Sequence, residues 1–150
     1  AEYAGAALFA DGSDNIGLMT SDNAGSANSW MNFYEWSSTE TTLQDYDVIF
    51  RFTLPTDFDS WQANAIVIDY QTEDASTAEN AFSGELYLES SATAAATFPQ
   101  TASTTWNTIT IPSGSLAGIG AGQTAIIILK MHSRNDNAVK IGDITLNYNK

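Results

Sequence analysis

The chain has 150 residues, 43% of them hydrophobic, no cysteine, and a formal net charge of −13 from 18 acidic and 5 basic side chains. Its length suits one domain, 1–150, and its apolar content excludes a disordered chain. Without cysteine there are no disulfides, thiol nucleophiles or thiolate metal sites. Scarce Lys and Arg argue against nucleic acid and anionic membrane surfaces, and no apolar run is long enough to span a bilayer. An acidic surface favours cations as ligands and keeps an isolated chain soluble.

Glu2 to Ala10 and Ile16 to Thr20 read as strands, and Trp30 to Trp36 as an aromatic-rich extended segment. Residues Ser37 to Gln44 lack strand alternation and are expected to hold a turn of helix. From Tyr46 the period is two, with Tyr46, Val48, Phe50, Phe52 and Leu54 on one face and Asp47, Ile49, Arg51 and Thr53 on the other, until Pro55 ends the strand. Trp61 to Tyr70 has a continuous apolar centre at Ile66 to Ile68, which suits a strand covered on both sides. Phe82 to Glu89 alternates with Leu86 and Leu88 inward. Trp106 to Ile111 is stopped by Pro112, and Thr124 to His132 is the most apolar stretch. Val139 to Tyr148 closes the chain. Asp74 to Asn80 and Ser90 to Thr105 are expected loops. Eight or nine short strands bounded by Gly, Asn, Asp, Ser and Pro predict an all-β, antiparallel two-sheet sandwich of the jelly-roll kind.

Catalytic constellations are thin. The sole histidine, His132, lies at a strand end on the face of Ile126, Ile128 and Lys130, and no Gly-x-Ser-x-Gly elbow is present. Zinc would need several His or Cys ligands. The carboxylate pairs Glu85/Glu89 and Asp57/Asp59 have the residue types of a glycosidase, but they read as solvated side chains. No catalytic residue is therefore assigned. Asp11 to Asn15 packs four oxygen-bearing side chains around Gly12, which fits either a calcium loop or an ordinary Asx-type turn. Trp30, Asn32, Tyr34 and Trp36 share one strand face. Outward, Trp30, Tyr34 and Trp36 form a ligand-binding platform for sugar rings; inward, they are core. Trp61 and Trp106 are expected to plug the ends of the barrel. The small-residue N-terminal segment, Ala1 to Phe9, can add to a sheet edge of its own chain or of another copy.

Three segments carry a resemblance. They are Trp106-Asn107-Thr108-Ile109-Thr110-Ile111-Pro112, then Ala121 to Ile128, then Val139 to Leu146 with one inward acid, Asp143. In this layout the chain resembles galactose-binding-like jelly rolls, the class that includes many carbohydrate-binding modules. That resemblance implies a glycan ligand and a structural Ca2+ between the N-terminal and final strands, at Glu2 or Asp11 and Asp143, with Asp14 in the adjoining loop. The Ala10-Asp11-Gly12 pattern after a small-residue strand resembles β-rich modules of bacterial surface and phage fibre proteins, which implies assembly.

The expected function is accordingly a non-enzymatic extracellular structural module of a fibre, filament or surface layer, partnered by other copies of itself through strand addition. The alternative is a carbohydrate-binding module using exposed aromatics. The opening Ala1-Glu2-Tyr3, without Met, is expected of a processed or excised domain.

Overall fold

The computed structural model describes residues 6–9, 14–24 and 31–150. Among the described residues ten strands form two antiparallel sheets. The first sheet runs in the order β1 (Ala6–Phe9), β4 (Gln44–Thr53), β9 (Thr124–Ser133), β6 (Asn80–Leu88), β7 (Ala94–Thr101). The second runs β2 (Leu18–Ala24), β3 (Met31–Ser37), β10 (Val139–Asn149), β5 (Ser60–Thr72), β8 (Asn107–Pro112). This is the predicted two-sheet sandwich, with more strands than the eight or nine expected.

The alternation read from the sequence sorts side chains between the sheets. Val48 and Phe52 of β4, Ile127, Leu129 and Met131 of β9, and Phe82 and Leu86 of β6 line the inner face of the first sheet. Trp36 of β3, Ile66, Ile68 and Tyr70 of β5, and Val139 and Ile141 of β10 meet them from the second. Each such side chain contributes about 1.5–3 kcal/mol when fully removed from water. Val67 is only half-buried, because it points to the outer face of β5. Trp61 closes one end as expected, packing on Phe58 and Tyr148, with its indole N–H donating to the Ile119 carbonyl at 2.9 Å.

Two local expectations are corrected. Residues 37–44 contain no helix. Ser38 and Gln44 are buried and bond to the segment just before β2 instead: Ser38 Oγ donates to the Ile16 carbonyl at 2.5 Å, and Gln44 Oε1 accepts from the Ile16 N–H at 2.9 Å. Such side-chain bonds compete with helix formation. Within the expected loop 90–105 lies β7, an edge strand that buries Phe98 and tolerates Pro99 because its outer edge has no partner strand. Among the described residues the one helical turn, Ser113–Leu116, is 3-10.

β1 pairs with β4 of the same chain, Ala6 opposite Phe50 and Phe9 opposite Asp47. The N-terminal strand therefore completes its own sheet.

Trp36 is 1% exposed, stacks against Tyr46 with ring centroids 4.9 Å apart, and donates its indole N–H to the Gln44 carbonyl. Trp36→Ala is expected to cost about 3–5 kcal/mol in urea unfolding; a cost below about 1 kcal/mol would contradict this packing.

Candidate functional site

The expected platform on β3 is not on the surface. Tyr34 is 9% exposed and Trp36 1%, and both face the core; Trp30 lies outside the described residues. The physical reason is sheet parity. β3 lies between β2 and β10, so its even-numbered aromatics point at the opposing sheet, whose apolar side chains outcompete water for them.

The other face of the same strand carries the candidate site. Phe33 points outward yet is only 6% exposed, because Trp106 leans on it with ring centroids 5.8 Å apart and planes at 58°. Trp106 was expected to plug an end of the sandwich. It instead lies across the outer face of the second sheet, half-buried, reaching from the start of β8 towards β10 and β3.

Gly142 makes that position available. A Cβ at residue 142 would stand 2.4 Å from Met31 Sδ and 3.1 Å from Trp106 Cζ3, so the indole rests where a side chain would otherwise stand. The backbone here is irregular: the pairing of β10 with β5 shifts register between Ile141 and Ile144. Both isoleucines pack inward, so the two residues between them, Gly142 and Asp143, are turned outward together. Asp143 was read as an inward acid, but the bulge leaves it exposed.

Polar side chains line another part of the same sheet face. Gln71 of β5 donates from Nε2 to the Thr104 carbonyl at 2.9 Å. Lys140 of β10 is paired with Glu35 of β3 at 3.2 Å and sits 5.0 Å from the centroid of the Phe33 ring. Glu35, Gln71, Glu73, Thr104 and Lys140 line a half-open groove of about 410 Å³. Asp69, outward on β5, faces the same surface. Burial, then the nearby Asp143 carboxylate, holds its carboxyl above the ordinary value.

Of the expected calcium residues, Asp14 and Asp143 are among the described residues. Asp14 sits in the left-handed region at φ 52, and its carbonyl accepts the Asp45 N–H at 2.8 Å, which ties it to the start of β4. Asp143 stands on β10 beside Asp69. Glu2 and Asp11 lie outside the described residues. No group of three or more His, Cys, Asp and Glu side chains suited to a metal occurs among those described.

The catalytic candidates lie elsewhere. The His132 Nε2 is 2.9 Å from Ser83 Oγ on the outer face of the first sheet. β6, which carries Ser83, is hydrogen-bonded on both edges, to β7 and β9. Its amides are thus committed to the ladder rather than grouped as oxyanion donors. Glu89 pairs with Arg51, and Glu85 accepts a hydrogen bond from Tyr87 at 2.5 Å.

Scans of family models and of curated proteins return no match. Among solved structures, the chain is similar to the carbohydrate-binding module TmCBM61 in complex with β-1,4-galactotriose, with TM-score 0.59 and 10% identity over 99% of this chain and 91% of that one. It is also similar to the family 11 carbohydrate-binding module of the cellulosomal cellulase Lic26A-Cel5E of Clostridium thermocellum, with TM-score 0.52 and 14% identity over 97% and 89%. A third similar structure is the enzymatically active domain of bacteriophage CBA120 tailspike protein 4, with TM-score 0.52 and 10% identity; 97% of this chain aligns with 20% of that one. At these identities the shared property is the fold: this chain has the β-sandwich of carbohydrate-binding modules.

Asp69 supplies a pH test. A carboxyl raised in the folded state contributes stability that is complete below its unfolded value near 3.8 and lost as pH rises through the folded value. Asp69→Asn is therefore expected to raise the melting temperature at neutral pH, with the gain shrinking on acidification. An equal gain at both pH values would remove the electrostatic explanation.

Proposed function

We propose that the chain is a non-catalytic, extracellular carbohydrate-binding module that holds a glycan across the outer face of the β2-β3-β10-β5-β8 sheet. The observation that carries this reading is Trp106, laid partly buried on Gly142 and propped by Phe33, with a polar groove on the same sheet face. The part of the indole left accessible offers a sugar ring an apolar surface, and amides and carboxylates on the same sheet face can take its hydroxyls. The groove of about 410 Å³ is open rather than enclosed, as chain-like ligands require. The sandwich fold shared with carbohydrate-binding modules supports the same assignment.

The fibre or surface-layer reading has less support. The strand addition it invokes would use an N-terminal segment able to join a sheet edge of its own chain or of another copy, and β1 is hydrogen-bonded along β4 of its own chain. A hydrolytic role is likewise unsupported, since the His132–Ser83 contact sits on the opposite sheet from the groove and among committed backbone amides.

Binding to a glycan array, followed by calorimetry on the best ligand, tests the proposal. Trp106→Ala is expected to weaken binding by about 2 kcal/mol or more, roughly thirtyfold, as loss of a central aromatic anchor does. Phe33→Leu is expected to weaken it less, by loosening the support of the indole. Gly142→Ala should also reduce affinity while leaving the circular-dichroism spectrum β-rich. Unchanged affinity in Trp106→Ala would refute this location for the site.

A further inference from the structure

Resting on the reading of the Trp106 face as a glycan site, we propose that this site selects glycans bearing protonated amines, of the deacetylated amino-sugar class, through Asp69 and Asp143. Cationic side chains are in short supply. The chain has five Lys and Arg residues, and every one is paired away from these two acids. Arg51 holds Glu89, Lys130 holds Asp47 and Asp45, Arg134 holds Glu79, Lys140 holds Glu35, and Lys150 holds Asp57. The sole histidine contacts Ser83 on the opposite sheet. Asp69 and Asp143 therefore have no cationic side chain left to neutralise them.

Geometry concentrates the deficit where a ligand would lie. The bulge turns Asp143 outward directly after Gly142, on whose surface Trp106 rests, and Asp69 faces out from the adjacent strand β5. The two carboxylates are close enough to repel, which is one cause of the raised Asp69 titration. The surrounding charged groups on this face are Asp22 of β2, Glu35 of β3, Lys140 of β10 and Glu73 at the end of β5, so the balance stays negative. An ammonium placed between Asp69 and Asp143 would relieve their repulsion and meet the indole face at the same time. The protein already makes this combination internally: the Lys140 ammonium lies over the Phe33 ring and against the Glu35 carboxylate. A uronate or sulfated sugar would instead bring a third anion to the pair.

The test compares three oligosaccharides of matched length by calorimetry at mildly acidic pH, where the amine is protonated: a glucosamine oligomer, its N-acetylated counterpart and an oligogalacturonate. The glucosamine oligomer is expected to bind about tenfold or more tighter than the acetylated one, with oligogalacturonate weakest. Added salt should narrow the gap. Asp69→Asn/Asp143→Asn, which keeps shape and removes mutual repulsion, should abolish the preference, bringing the affinities for the amine and acetylated oligomers together; a β-rich circular-dichroism spectrum checks its fold. Equal affinity for the amine and acetylated forms, or a preference that survives the double substitution, overturns the inference. If a neutral glycan binds in a Trp106-dependent way without amine preference, the glycan-site reading stands and the inference alone falls. Failure to bind any glycan defeats both.

Discussion

Two sheets of alternating side chains must close on each other, and the rest of the molecule is arranged around that contact. Val48, Ile127, Leu129 and Met131 from the first sheet meet Trp36, Ile66, Ile68 and Ile141 from the second, all with almost no solvent exposure. Because side chains alternate strictly along a strand, committing one set to this interface sends the intervening set outward. Asp69 and Gln71 face out because Ile68, Tyr70 and Thr72 face in, and Phe33 and Glu35 face out because Tyr34 and Trp36 face in. The candidate site is thus a by-product of core parity.

One departure from strict alternation distinguishes this face. The bulge in β10 puts two consecutive residues, Gly142 and Asp143, on the same side. Gly142 leaves the gap over which the Trp106 indole lies, while Asp143 adds a carboxylate at its margin. A residue with a side chain at 142 would press on both Met31 and Trp106. The aromatic surface and the charge beside it therefore come from the same backbone irregularity.

Electrostatics divides the two faces of the sandwich. On the outer face of the first sheet, Lys130 is shared between Asp45 and Asp47, Arg51 meets Glu89, and His132 meets Ser83, so charge there is largely satisfied. On the second sheet only Lys140 opposes several acids, and it is already paired. Part of the uncompensated acid excess therefore lies on the face that carries Trp106, where it can act on a ligand.

Much of the fold was legible from residue order. The alternation from Tyr46 onward, the turn residues between strands and the apolar run at Ile126 to Leu129 specify the sandwich, because strand periodicity is a local property. β7 escaped notice because an edge strand buries little beyond Phe98 and needs few apolar residues. The site was not legible in the same way. Sequence marked Trp30, Tyr34 and Trp36 as aromatics on one strand face, but which face of β3 met the opposing sheet depended on β10 and β2 pairing beside it. It marked Trp106 as the head of a strand, but the resting place of that indole depended on Gly142 and Phe33, residues far from it in the chain and near it only after the sheets form. The sequence by itself determined strands, core parity and an acidic surface, since these follow from neighbours a few residues apart. Only the tertiary structure decided which aromatics lay on the outer face of the second sheet and which carboxylates shared that face, since those depend on a bulge and on contacts between distant strands.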